Sequence, residues 1–320
     1  MSRASRDSGL DGVLLVDKPP GMTSHDVVGA VRRLTGQGRA GHSGTLDPAA
    51  AGVLAVCLGQ ATRAAEYLLA QDKEYRAEIT FGAATDSHDA TGRVTAEPGA
   101  QGLTAERLEA ALAICRGTIL QVPPMVSALK VEGRRLYQLA RQGRTVEREP
   151  RPVTIHRLEL LSFRPGTRAT ALVDVSCSKG TYVRSLARDL GEALGTGAFL
   201  SFLLRTRSGA FGLTDSLALE EVAEAAAAGH LTERLLTMDQ ALAHLPALEV
   251  TAAEAFGLAQ GRQPHQLGLR YDGDGLVRLT LPGRGLVALA SAGPSGLTTE
   301  KVLQTEPGPQ DPARSRRGRS

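Results

Sequence analysis

The chain has 320 residues, 42% of them hydrophobic, only 3% aromatic, with no Trp. This composition is globular and long enough for two domains. No apolar run approaches the roughly 20 residues of a membrane span, and Met1–Asp11 lacks the apolar core of a secretory signal, which predicts a cytoplasmic protein. The formal net charge of +3 resides in the last ten residues, where four arginines meet one aspartate, so global charge gives no argument for nucleic acid.

In chain order, Gly12–Val16 reads as a short apolar strand. Thr23 or Ser24 then caps a helix whose apolar positions Val27, Val28, Val31 and Leu34 follow helical spacing, and Gly36 stops it. Val53–Leu58 is a continuous apolar strand. The segment from Lys73 alternates through Tyr75, Ala77, Ile79 and Phe81, the pattern of a half-buried strand. Thr104 caps a helix carrying Leu108, Leu112 and Cys115 that ends near Gly117. Arg134–Gln142 reads as helical. Val153–Phe163 and Ala169–Cys177 read as paired strands around Pro165-Gly166. Thr181 caps a helix running to Leu194, and Phe199–Arg207 is a further strand. The stretch from Glu220 to His244 is rich in Ala and Leu and reads as helical. From Pro246, Gly-rich turns separate short strands such as Leu276–Leu281 and Leu286–Ala290, which predicts a small all-β module ending near Leu303. The tail from Pro307 reads as disordered. Strands outnumber clean βαβ alternations, so the pattern predicts an α+β fold with a mixed, largely antiparallel sheet flanked by helices.

Three cysteines, Cys57, Cys115 and Cys177, lie far apart without a CxxC pair, which argues against a disulfide framework or a cysteine zinc site. Charge is concentrated locally. Lys130, Arg134, Arg135, Arg141, Arg144, Arg148 and Arg151 crowd one segment against three acids. Such a segment suits phosphate, and it equally suits a solvated helix and loop. Two motif matches fail on context. Gly36-Gln37-Gly38-Arg39-Ala40-Gly41 fits GxGxxG, but a helix precedes it and a Gly/Pro loop follows, the reverse of a dinucleotide site. Gly41–Thr45 approaches a serine-hydrolase elbow, but its fifth position is Thr45 and no helix follows at once.

Gly41-His42-Ser43-Gly44-Thr45-Leu46-Asp47-Pro48 places one carboxylate at the end of a glycine-bearing loop. Pro48 disfavours the helical region at Asp47, and Gly44 permits close backbone approach. Alone, these eight residues fit a solvated turn. Three further strings accompany them: Val16-Asp17-Lys18-Pro19-Pro20-Gly21-Met22-Thr23-Ser24, Lys73-Glu74-Tyr75-Arg76-Ala77, and Ser178-Lys179-Gly180-Thr181-Tyr182-Val183-Arg184-Ser185-Leu186. Leu203 and Arg205 follow in the next strand. In this order and spacing the chain closely resembles the TruB family of tRNA pseudouridine synthases, from about Gly12 to Arg207 and more weakly to Leu303.

The resemblance implies an isomerase that converts the T-loop uridine of tRNA, position 55, to pseudouridine. The base is detached at N1, turned and rejoined through C5, with no cofactor and no metal. On this resemblance Asp47 is the nucleophile. Attack on ribose C1′, addition to the base and elimination to a glycal all stay open as routes. Arg184 is the arginine that pairs with it and favours its ionised form. Tyr75 stacks on the flipped base and can assist deprotonation at C5. Tyr182 and Leu203 are substrate-pocket positions, and His42 contacts the RNA and helps hold the target nucleotide out of its stack. Lys18, Pro19, Gly44 and Pro48 support the site.

The resemblance also makes the region of about 124–152 a thumb insertion, with Lys130, Arg134, Arg141 and Arg144 on the RNA backbone. The C-terminal module becomes a PUA-like domain. The expected organisation is a disordered start over 1–11, a catalytic domain over 12–245, the PUA-like domain over 246–304 and a disordered tail over 305–320. The expected partner is tRNA, through its T arm and T loop; no membrane is implied, and the chain is expected to be monomeric. Val126 departs from the family, which commonly has tyrosine there. Ser43 and Thr45 vary the octet, and the Arg-rich tail has no family counterpart. A guide-RNA-dependent, dyskerin-type synthase is the rival within the class, and the insertion between Pro124 and Pro152 favours the standalone enzyme. A tRNA-binding or tRNA-folding protein with incidental catalysis is the other rival, disfavoured by the joint presence of Asp47, Tyr75 and Arg184.

Overall fold

The computed structural model describes residues 8–303, apart from 128, 132, 143 and 145. Most of both expected disordered ends therefore lies outside the described residues. Strand β1 (Gly12–Lys18) is almost wholly buried. Helix α1 (Ser24–Thr35) opens on a reciprocal cap: the Thr23 side chain accepts from Asp26 N, and the Asp26 carboxylate accepts from Thr23 N at 2.9 Å. Gly36 closes it in the left-handed region, as the spacing predicts. Strand β2 (Ala40–Ser43) then pairs antiparallel with β3 (Ala51–Leu58), His42 opposite Val56. The octet is therefore loop only from Gly44 onward. The four residues Ala-Gly-His-Ser carry too little apolar area to announce a strand. Helix α2 (Ala65–Leu69) leads into β4 (Lys73–Phe81), whose bounds are those the alternation gives.

A two-rung hairpin, β5 (Ala84–Thr85) with β6 (Val94–Ala96), precedes α3 (Ala105–Ile114), which Thr104 caps, and β7 (Gly117–Gln121). Next, β8 (Lys130–Val131) and β9 (Arg134–Arg135) pair with each other before α4 (Leu136–Arg141). The helix expected from Arg134 thus starts two residues later. The long antiparallel pair β10 (Arg151–Arg164) and β11 (Thr170–Cys177) follows, then α5 (Val183–Leu194), β12 (Ala198–Ser208) and β13 (Phe211–Gly212). Among the described residues the main sheet has nine strands, ordered β1-β3-β12-β4-β11-β10-β7, with β2 on β3 and β13 on β12. Its one parallel pairing joins β3 to β12, Gly52 opposite Arg205. Gly52 has φ +105, and a Cβ there would stand 2.2 Å from the Arg205 carbonyl oxygen, so only glycine fits.

The two halves of this sheet explain two sequence patterns. In β1 and β3 both faces are covered. Leu14, Val16, Leu54, Val56 and Leu58 pack with α1, while Val13, Leu15, Val53, Ala55 and Cys57 pack on the opposite side. Hence β3 is a continuous apolar run. In β4 and β11 one face is covered, by α3 and α5 over Ala77, Ile79, Phe81, Val173 and Val175. The other carries the exposed Arg76–Asp174 ion pair, so these strands alternate.

After β13, the Ala- and Leu-rich stretch is not one helix. It forms α6 (Leu219–Ala227), a 3₁₀ turn over Leu231–Arg234 and α7 (Met238–Ala241). Leu236, between the last two, hydrogen-bonds both ways with Val13 on β1, which breaks the helical run. The C-terminal module comprises β14 (Ala247–Glu249), α8 (Ala252–Ala259), β15 (Gly275–Leu281), β16 (Gly285–Gly293) and β17 (Gly296–Val302), its four strands paired in chain order. The all-β expectation misses α8, whose Ala255 and Leu258 pack on Val277, Leu279, Ala288 and Ala290. Its signal was present: Thr251 and Glu254 form a capping box. The module also reaches the main sheet, where Leu286, Leu289 and Leu303 join one cluster with Val13, Leu15, Cys57 and Phe211.

Candidate active site

The loop Gly44–Pro48 is held from several sides. Lys18, fully buried, donates through Nζ to Pro19 O at 2.9 Å, Met22 O at 2.6 Å and Pro48 O at 3.2 Å. Burial brings its ammonium down to about 8. Gly21 N donates to Pro48 O at 2.8 Å, so the first motif and the octet form one backbone-bonded unit. Leu46 is clamped to Ser24: its N donates to Ser24 Oγ at 2.9 Å and its carbonyl accepts from that hydroxyl at 3.1 Å. Gly44 has φ +90, which needs glycine, and its carbonyl accepts from Arg205.

These restraints aim Asp47 at Arg184. Arg184 Nε stands 2.8 Å from Oδ2 and Nη2 donates to Oδ1 at 3.0 Å, a two-pronged ion pair. The Arg184 side chain is 3% exposed; that of Asp47 is 36% exposed, so the carboxylate is both anchored and reachable. Arg184 lies in the first turn of α5, where the helix dipole opposes a cation. Asp47 and Asp89, whose Oδ2 lies 3.8 Å from Nη1, offset that opposition. Arg184 also donates to Val126 O at 2.8 Å and Ser87 O at 3.3 Å. At the family's tyrosine position, this contact uses the main chain of Val126. The carboxyl of Asp47 is raised above its ordinary range: burial pushes it up, Arg184 pulls it down, and Asp89 adds to the push. The pull expected from Arg184 is thus present but outweighed.

Asp47 opens onto a cavity of about 660 Å³, within the range of small-ligand sites. Tyr75, Tyr182, Leu203, Gly44, Arg184 and Arg205 help to line it. Tyr75 and Leu203 come from neighbouring strands, and Tyr182 caps α5 without a side-chain hydrogen bond. Thr181, expected to be that cap, instead donates from Oγ1 to Ser178 O at 2.9 Å. Gln121 takes over part of the work, accepting from Tyr182 N at 2.7 Å. A buried lysine, Lys73, also faces the cavity. It donates to Leu69 O at 2.7 Å and to Gln71 O, and burial brings it down to about 8.

The structure therefore brings Asp47, Tyr75, Tyr182, Arg184, Leu203 and Gly44 to one cavity, with Lys18, Pro19 and Pro48 behind the loop. His42 is on β2 and is not among the cavity's lining residues. The side chains of Lys130, Arg134 and Arg141 lie outside what is described; Arg144 is exposed. Sequence reasoning missed Ser24 as a clamp, Asp89 and the role of Arg205. Among the described residues no group of three or more His, Cys, Asp or Glu is placed to hold a metal, and no helix is long and apolar enough to cross a membrane.

Residues 32–183 match the model of the TruB family pseudouridylate synthase N-terminal domain, and residues 184–243 match the tRNA pseudouridylate synthase B C-terminal domain. The chain is 56% identical to tRNA pseudouridine synthase B of Symbiobacterium thermophilum, over 82% of this chain and 87% of that one. It is 46% identical to the protein of the same name from Pelotomaculum thermopropionicum, over 92% and 95%. The chain belongs to the TruB family. Its fold is also that of Cbf5 in a Cbf5-Nop10-Gar1 complex, with a TM-score of 0.71, 28% identity and coverage of 92% of this chain and 85% of that one. The boundary between the two TruB models falls at the start of α5 and separates Asp47 and Tyr75 from Arg184. In this TruB chain the site straddles that boundary, because β12 pairs with both β3 and β4.

Proposed function

We propose that this chain is a standalone tRNA pseudouridine synthase that isomerises the T-loop uridine, position 55, with Asp47 as nucleophile. The observation that carries the reading is the two-pronged Asp47–Arg184 pair lining a cavity of about 660 Å³. The isomerisation breaks N1–C1′ and makes C5–C1′, while C5 loses a proton and N1 gains one, so the atoms balance without a co-reactant. Asp47 supplies the carboxylate that separates base from ribose, by attack at C1′, by addition to the base or by assisting a glycal. Arg184 keeps that carboxylate oriented and favours its charge against the push of burial. Tyr75 stacks on the flipped base and takes part in removing the C5 proton; Tyr182 and Leu203 shape the pocket. Extrusion of the base costs a few kcal/mol of unstacking. The basic segment of 130–151, read as a thumb, and the C-terminal module, read as PUA-like, offset that cost through contacts to the T arm. His42 contacts the RNA from the edge strand β2. The protein works as a cytoplasmic monomer.

Support for tRNA over a guide-dependent substrate comes from relatives at 46–56% identity named tRNA pseudouridine synthase B, against 28% identity to Cbf5. Tritium release from C5-labelled uridine in an unmodified tRNA transcript, without guide RNA, tests both points. Release mapped to the T loop is expected. No release, or release from another site, refutes the reading.

A further inference from the structure

Arg205 is 1% exposed, on β12 beneath the cavity. Its Nε donates to Val53 O at 2.7 Å, and its Nη2 to Gly44 O at 3.2 Å. Tyr75 is its register partner on β4, and both residues line the cavity, where the guanidinium charge acts on the phenol. One rigid guanidinium therefore ties strand β3 to the turn that leads to Asp47, beside the strand that carries Tyr75. Lysine offers a single nitrogen on a flexible stem and does not reproduce this fork. A Cβ on Gly52 would stand 2.2 Å from the Arg205 carbonyl oxygen, so glycine there lets β3 pack directly against the arginine's backbone.

Among the described residues Arg205 makes no ion pair. A buried charge without a carboxylate is a poor stabilising device, because desolvation is not offset by a close opposite charge. Its bonds go instead to the main chain of β3 and of the turn that carries Asp47.

We propose that Arg205 is a positioning residue that ties the Gly44–Asp47 turn to strand β3 and to the neighbouring Tyr75 strand in one frame. Stacking ring and nucleophile then keep a fixed separation while the base turns between them. The guanidinium also draws the phenol toward its ionised form, against the upward push of burial, which suits a group that accepts the C5 proton. The inference rests on the pseudouridine-synthase reading for the roles of Tyr75 and Asp47.

The test uses the full chain with 3-fluorotyrosine at Tyr75, and the variants Arg205→Lys and Arg205→Gln. A misplacement of about 1 Å is worth about 100-fold in rate. We expect kcat on unmodified tRNA to fall about that much in both variants, with KM within about threefold. The fluorine titration of Tyr75, read without RNA, moves to higher pH in Arg205→Gln, because a nearby positive charge is lost. A kcat within about threefold of the parent, or an unmoved titration, overturns the proposal; a merely structural arginine would lower thermal stability and leave the titration in place. If a variant no longer unfolds cooperatively, the Arg205 Nε–H resonance of the unsubstituted enzyme decides. It is expected to shift when the Tyr75 fluorophenol ionises, and indifference to that ionisation overturns the proposal. The titration needs no substrate, so its failure is distinct from failure of the functional reading, which appears as absence of turnover by the unsubstituted enzyme.

Discussion

Asp47 is pushed up by burial and pulled down by Arg184, and the nucleophile role proposed for it needs the ionised form. Asp47→Ala is expected to abolish tritium release while tRNA binding in a filter assay persists; measurable turnover by that variant would exclude an essential nucleophile here. The pH dependence has a definite sign. The acidic limb of kcat/KM reports ionisation in the free enzyme, and activity is lost as pH falls through the raised Asp47 value. Arg184→Gln removes the pull and leaves burial and Asp89, which both push up. Its limb should lie at higher pH than the parent's, above a reduced plateau. A limb at the same or lower pH would show that Arg184 does not govern the charge of Asp47. Asp47, Tyr75 and Arg184 were legible in the sequence because each stands in a distinctive string. Asp89, Ser24 and Arg205 were not, since their roles are distances across the fold: Asp89 to Arg184, Ser24 to Leu46, Arg205 to Gly44 and Val53.

Elements were legible where burial has a clean period. Strand β4 has one covered face, so its alternation gave both ends; β3 is covered on both faces and read as an apolar run. Strand β2 was invisible because Ala40–Ser43 holds its place by pairing with β3 rather than by apolar area. Helix α8 was hidden among Gly-rich turns although its capping box was written in the sequence. The basic segment is the element whose charge sequence alone could not interpret. Helix α4 ends at Arg141, and Arg144 just beyond it is exposed. If this segment meets phosphate, each contact adds about 0.7–0.9 to the slope of log affinity against log salt. Neutralising Arg141 and Arg144 to Gln should therefore flatten the salt dependence of tRNA affinity, measured by titration across potassium chloride concentrations. An unchanged slope would remove the segment from the RNA interface.

At the scale of the whole molecule, the expected separation at residue 245 hides a shared core. Leu289 on β16 is fully buried in a cluster with Val13 and Leu15 of β1, Cys57 of β3 and Phe211 of β13. Polar contacts follow the same seam. Arg278 of β15 pairs with Asp239 at 2.6 Å and donates to Leu245 O at 3.0 Å, and Lys301 of β17 pairs with Glu66. The side of β1 and β3 opposite α1 thus owes part of its cover to the module. Val53, whose carbonyl anchors Arg205, packs on that side, so the module's cover supports the main sheet at the strand that holds Arg205. Leu289→Ala should cost about 2–5 kcal/mol. The loss should spread: amide protons of β1 and β3 should exchange faster along with those of β16, because the cavity opens between them. Hydrogen exchange read strand by strand makes the distinction. Faster exchange confined to β15, β16 and β17 would mean that the module opens on its own and that the seam is only a contact; faster exchange on both sides means one cooperative body, in which the terminal sheet stabilises the frame that holds Asp47.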